Sequence, residues 1–156
     1  MLYTRKGDSG TTKTFGCDQR VSKSSAIAEA LGSLDEINSL LGLCKCYRGE
    51  TLKLPQGLTS VTLLSGVQQT LFIIQAELAG ADKTVTEEKV KAVEAVIDEI
   101  EKKLPPIKTF FVSGGTEVAS LFDFARTVAR RAERRAWLAE VEAKVAGAES
   151  HLGPHT

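Results

Sequence analysis

The sequence is short of aromatic residues, of cysteine and of net charge, and no stretch of it is apolar for long. Six Phe, two Tyr and one Trp make up 6% of 156 residues. Strict apolar–polar alternation is also scarce, so the signature of a sheet protein is missing. Twenty Lys+Arg balance twenty Asp+Glu, which leaves no long-range field to collect the chain on nucleic acid or an anionic membrane. A basic site, if there is one, must be local. No apolar run approaches the roughly 18 to 20 residues that cross a bilayer, and the opening MLYTRKGDSG lacks the apolar core of a secretory signal. The expectation is a soluble, cytoplasmic protein that binds neither membrane nor nucleic acid. Three cysteines, Cys17, Cys44 and Cys46, are an odd number and argue against a disulfide framework. Cys44 and Cys46 are two apart, on opposite sides of a helix if the segment is helical, with no second pair at zinc spacing. His151 and His155 are four apart in a Gly-Pro tail without a third ligand, which favours a solvated tail over a metal site.

What is present fits one ordinary domain over residues 1–156: 42% apolar and 26% charged residues, close to the globular average. Apolar positions recur at three and four, predicting an all-α antiparallel bundle. After a polar, Gly-rich opening, Ser24 or Ser25 can cap a first helix whose face runs Ile27, Leu31, Leu34, Ile37, Leu41 and Cys44, stopping near Gly49. A second stripe comprises Val61, Leu64, Val67, Leu71, Ile74 and Leu78. Thr84 and Glu87 read as a capping box before a third stripe, Val90, Val93, Ile97, Ile100 and Leu104, closed by Pro105 and Pro106. Thr116 can cap a fourth helix reaching about Ala146, with Val118, Leu121, Phe122, Ala125, Val128, Ala129 and Ala132 inward.

Three segments carry chemistry. The opening TRKGDSGTTKTFGCDQRVSK mixes glycines with hydroxyls and the cations Arg5, Arg20 and Lys23. Such a mixture suits an anion-binding loop, because glycine lets backbone N–H groups approach while hydroxyls donate and long cations neutralise. It is also the composition of a floppy polar terminus, the reading that composition alone favours. The fourth helix packs Arg126, Arg130, Arg131, Arg134 and Arg135 around Glu133. At about 100° per residue, Arg126, Arg130 and Glu133 are expected to border the apolar face while Arg131 and Arg135 point to solvent. An arginine beside a core needs carboxylate or phosphate. An ordinary charged face and a nucleic-acid helix are the other readings, the latter weakened by Glu133, Glu140 and Glu142. On the first helix Asp35 and Asn38 lie one turn apart at the edge of the stripe, either exposed or seeking a partner such as those arginines.

Taken in order, TRKGDSG, RVSK, GSLDEINSLLG, FVSGG and ARTVARRAER match one motif series, over about residues 3 to 135. The chain resembles the PduO-type ATP:cob(I)alamin adenosyltransferases. The resemblance implies a homotrimer of helical bundles with active sites between subunits. It also implies transfer of the 5′-deoxyadenosyl group of ATP, held with Mg2+, to the cobalt of reduced cobalamin, releasing triphosphate. By the same resemblance Thr4, Arg5, Gly7, Asp8, Gly10, Thr11 and Thr12 correspond to the loop around ATP, and Lys23 and Arg130 to cations on the triphosphate, with Glu133 following. Asp35 and Arg126 look like a salt bridge between subunits, and Phe110 like the ring beneath the corrin that displaces its lower ligand. A flavoprotein reductase and adenosylcobalamin-dependent enzymes are the implied partners. The chain departs from the family pattern at Ser113 and Asp123, where Pro and His are common. It also ends in ESHLGPHT where a last helix with an Asn-Arg-Leu-Ser-Asp motif would begin. The expectation is therefore four long helices with the fifth lost or shortened. A non-catalytic helical oligomer that binds ATP or a corrinoid, as sensor or escort, is the alternative function.

Overall fold

The structure, a computed structural model, describes residues 5–14, 20–47, 51–147 and 152–156. Thr4, Cys17 and His151, named above, and the expected stop near Gly49 lie outside these residues. The three-and-four periodicity is realised as four helices: α1 (Ala26–Cys46), α2 (Ser60–Leu78), α3 (Glu87–Glu101) and α4 (Glu117–Val145). Before them a small antiparallel hairpin pairs β1 (Thr11–Lys13) with β2 (Arg20–Ser22).

Local chemistry explains most boundaries. Ser25 caps α1, its Oγ accepting from Ala28 N at 3.4 Å. Thr59 Oγ1 accepts from Thr62 N at 3.1 Å while Thr62 Oγ1 accepts from Thr59 N at 2.9 Å, a reciprocal box that opens α2. Thr116 Oγ1 accepts from Ala119 N at 3.1 Å and starts α4 where expected. At α3 the expected box is not formed. The helix is capped at Thr86 without a side-chain bond, because Thr84 Oγ1 donates instead to Glu77 Oε1 at 2.9 Å. A buried carboxylate needs donors more than a solvated helix end does.

The core lies between α1 and α4, with α2 on its flank. Ala125, Val128, Ala132, Ala136 and Ala139 form the buried stripe of α4 and face Ala30, Leu34 and Ile37 of α1. Small residues in steps of three and four let the two backbones approach closely. Leu64 and Leu78 complete the cluster from α2. Helix α3 stays at the margin, its one buried residue being Val96, beside the Pro55–Gly57 turn. The two cysteines of α1 divide as their spacing requires: Cys44 is buried and Cys46 exposed. Burial pushes the Cys44 thiol up from its ordinary value.

The arginines of α4 reverse the expected sides. Arg131 and Arg135 are the half-buried pair. Arg131 Nη2 meets Glu36 Oε2 of α1, and Arg135 Nη1 reaches Ser33 Oγ at 2.7 Å and Glu29 Oε2 at 3.1 Å. Arg126, Arg130 and Glu133 are exposed. The reason is rotational: the buried stripe follows the alanines rather than Phe122 and Ala129, and Ala129 is exposed. Centring the face there puts Arg131 and Arg135 on the flank nearer α1.

Candidate functional site: a glycine-rich turn and the arginine face of α4

The N-terminal segment folds into a tight turn. Asp8 N bonds Arg5 O at 3.3 Å, Gly10 N bonds Gly7 O at 3.1 Å, and Lys23 N bonds Gly10 O at 2.9 Å. Gly10 has φ 79°, a conformation that glycine adopts without strain. Gly7 matters for room. A Cβ there would lie 3.0 Å from Lys23 Nζ, 3.1 Å from its Cε and 3.2 Å from Thr11 O. The Lys23 ammonium therefore sits against the Gly7 backbone. The turn is pinned by Arg20, whose Nε donates to Thr11 Oγ1 at 2.7 Å and whose Nη2 donates to Thr11 O at 2.8 Å and Lys6 O at 2.5 Å. Pairing of Thr11 with Ser22 and Thr12 with Val21 carries the register to Lys23. The glycine turn, Thr11 and the Lys23 cation are thus brought together on one exposed stretch, and these are the residue types that an anion site uses. Arg5, Asp8 and Thr12 are placed around it by the same turn and hairpin.

A second group lies at the start of α4. The loop before it exposes Phe110 fully, with Phe111 and Val112 beside it. These residues line a shallow pocket of about 540 Å³ with Asp123 and Arg126. Asp123 Oδ1 accepts from Arg126 Nε at 2.9 Å and Nη2 at 2.7 Å, and its Oδ2 accepts from Ser113 Oγ. The Ser113 hydroxyl, and then the Arg126 guanidinium, hold the Asp123 carboxyl below its usual range. Arg130 and Glu133 stand on the same exposed face, Arg130 O accepting from Arg134 Nη1 at 2.9 Å. Glu133 and Trp137 line an apolar groove of about 490 Å³ between α1, α2 and α4. Leu152 and Thr156 enter that groove. The tail is held by Glu77, whose Oε1 accepts from Gly153 N at 2.7 Å and whose Oε2 accepts from Thr156 Oγ1 at 2.5 Å.

Asp35 and Arg126 do not meet within the chain. Asp35 is exposed in a pocket between α1 and α2, and Arg126 is engaged by Asp123. The sequence placed Arg20 in the right cluster but could not show it as the pin, since three-residue strands leave no periodicity to read. Glu77 gave no signal as a clasp for the tail. The pairing of Ser113 with Asp123 was detectable only as two separate departures from a pattern.

The described residues define a helical bundle with a glycine-rich turn and hairpin before α1 and an arginine-rich face on its longest helix. The sequence matches the family described as cobalamin adenosyltransferase over residues 2–152, and the chain belongs to it. It is 42% identical over 141 residues to the corrinoid adenosyltransferase PduO of Salmonella typhimurium, a match covering 86% of this chain and 40% of that protein. It is 38% identical over 139 residues to a corrinoid adenosyltransferase of Bacillus subtilis, covering 86% of this chain and 69% of that one. The chain thus spans less than half the length of the Salmonella relative. Among solved structures it resembles a variant PduO-type ATP:corrinoid adenosyltransferase from Lactobacillus reuteri complexed with cobalamin and ATP, with a TM-score of 0.74 and 33% identity, covering 86% of this chain and 75% of that one.

Proposed function

We propose that this chain is a single corrinoid adenosyltransferase domain that moves the 5′-deoxyadenosyl group of ATP to the cobalt of cob(I)alamin. The observation that carries it is the cradle: Lys23 Nζ packed against Gly7, on a turn that the matched residues 2–152 include. In the step, the Co(I) electron pair attacks C5′, the Co–C5′ bond forms, and the C5′–O bond breaks with its electrons leaving on triphosphate. The cobalt needs little activation, so the protein must hold C5′ in line and stabilise the departing polyanion. Lys23 and Arg130 are assigned the triphosphate, and the turn from Arg5 to Thr12 the nucleotide. Phe110 is assigned the lower corrin face, where its full exposure leaves an apolar ring able to exclude a lower ligand. Mg2+ would rest on the oxygens of the triphosphate itself, as that ion often does; among the described residues no three His, Cys, Asp or Glu side chains cluster to hold a metal. Glu133, on the same face as Arg130, is assigned to orient that arginine.

From the family resemblance we assign the complete site to the junction of two copies in a homotrimer, with Asp35 of one copy facing Arg126 of the next; within the chain the two residues do not meet. No described helix is long and apolar enough to cross a membrane. By the same resemblance we assign the chain to the cytoplasm, with electrons from a flavoprotein reductase and adenosylcobalamin-dependent enzymes as the recipients of its product. The test is release of triphosphate from ATP with pre-reduced cob(I)alamin. Lys23→Ala and Arg130→Ala should each lower kcat/KM by ten- to a hundredfold, the loss of one charge-assisted contact of roughly 1.5 to 3 kcal/mol. ATP binding without turnover would point to a sensor or escort instead, and unchanged kinetics in both variants would reject the assignment.

A further inference from the structure

The loop that carries Phe110 has an uneven construction. Ile107, Phe110, Phe111 and Val112 are between 72% and 106% exposed, so apolar burial does not fix their positions. Gly114, with φ 111°, turns the chain sharply into α4. Among the described residues, the side-chain hydrogen bond from this loop to α4 is Ser113 Oγ to Asp123 Oδ2. The other oxygen of the same carboxylate takes both Nε and Nη2 of Arg126, one turn further along α4. Asp123 is 28% exposed where Arg126 is 61% exposed, so the carboxylate is the sheltered centre of the trio. One residue therefore spends one oxygen on the loop and one on the arginine face.

We propose that Asp123 is a positioning residue for the corrinoid: through Ser113 it holds the ring of Phe110 over the pocket, and through Arg126 it fixes that loop relative to α4. The proposal rests on the assignment of Phe110 to the corrin face. Its consequence is a division of labour. ATP is held at the hairpin and Arg130, which Asp123 does not touch, so losing the clasp should weaken the corrinoid and leave the nucleotide alone.

Amide hydrogen exchange of the full chain without ligand reads the clasp directly. Ser113→Ala and Asp123→Ala should speed exchange over residues 107–115 and leave α1 unchanged, and Ser113→Thr, which keeps the hydroxyl, should restore the slow rate. In turnover with ATP and cob(I)alamin, both damaging variants should raise KM for cob(I)alamin about tenfold and change KM for ATP by less than about twofold, the scale of one charge-assisted bond. Asp123→Asn, which keeps an acceptor for Ser113 but weakens the hold on Arg126, should fall between. Unchanged exchange in an active enzyme overturns the clasp, and parallel rises in both KM values overturn the positioning role. A wild-type chain that neither binds nor adenosylates cobalamin, while the variants still speed exchange, fails the functional reading and the corrinoid part of this proposal with it.

Discussion

Single residues decide the cradle. Gly7 is not at a positive φ, so its requirement is space: the nearest atoms to an added Cβ are the flexible end of Lys23 and the fixed carbonyl of Thr11. Gly7→Ala should push the Lys23 ammonium aside at little cost in stability. The expected result is a several-fold rise in the Kd for ATP, read by calorimetry, with the melting temperature almost unchanged; equal affinities would detach Lys23 from the triphosphate. Asp123 makes a pH prediction with a definite sign. Its carboxyl is held below the usual range by Ser113 and Arg126, so the clasp is present above the ordinary carboxylate value and lost only as pH falls through the lowered one. Exchange over residues 107–115, corrected for its intrinsic pH dependence, should stay flat from pH 8 to about 5 and rise below about 4. A rise between pH 6 and 7 would mean that another group holds the loop. At this scale the sequence showed which residues the turn brings together, glycine, hydroxyl and lysine, because they share one segment of the chain. Arg20 as the pin was not legible, because what it bonds, two carbonyls and a hydroxyl nine and fourteen residues away, has no expression in composition.

Elements were the most legible level, since periodicity and caps are local. The starts of α1 and α4 at Ser25 and Thr116 follow from short-range rules. The start of α3 does not. Thr84 and Thr86 both offer a hydroxyl ahead of an acidic first turn, and only the fold shows that Glu77, from α2, claims Thr84. The two threonines flanking helices therefore differ in worth. Thr116→Ala removes a formed cap and should cost about 1 kcal/mol in urea unfolding, whereas Thr86→Ala removes a hydroxyl that makes no cap and should stay within about 0.5 kcal/mol. Equal losses would show that the cap geometry of α4 contributes nothing. The reversal of the arginines belongs here too. Periodicity names the residues that share a face, but a long helix with apolar residues over more than half its circumference admits several centres. The choice was made by α1, whose Glu29, Ser33 and Glu36 receive Arg135 and Arg131.

At the scale of the molecule, two faces of the bundle are left unfinished. The groove between α1, α2 and α4 is closed at one end by Leu152 and the Glu77 clasp, and elsewhere Trp137, Leu138 and Val141 of α4 stay half exposed. Anchoring of residues 152–156 differs from the loose tail that the Gly-Pro sequence invites, because a carboxylate only 3% exposed is satisfied by the tail's N–H and hydroxyl. The other unfinished face surrounds Asp35, between α1 and α2. Asn38 Oδ1 is buried there without a hydrogen-bond partner among the described residues, and Lys45 Nζ turns to Gln68 Oε1 at 2.8 Å and Ser65 Oγ at 3.3 Å rather than to Asp35. Among the described residues none pairs with the Asp35 carboxylate, so its removal separates folding from assembly. Asp35→Ala should change the unfolding free energy by no more than about 0.5 kcal/mol, as an exposed substitution does. In sedimentation velocity the same variant should shift from the proposed trimer toward monomer, and Arg126→Ala should shift it likewise while also speeding exchange over residues 107–115, since Arg126 serves the proposed Asp123 clasp as well. A wild-type chain that sediments as a monodisperse monomer would remove the intersubunit bridge, and a trimer undisturbed by Asp35→Ala would place its contacts on another face.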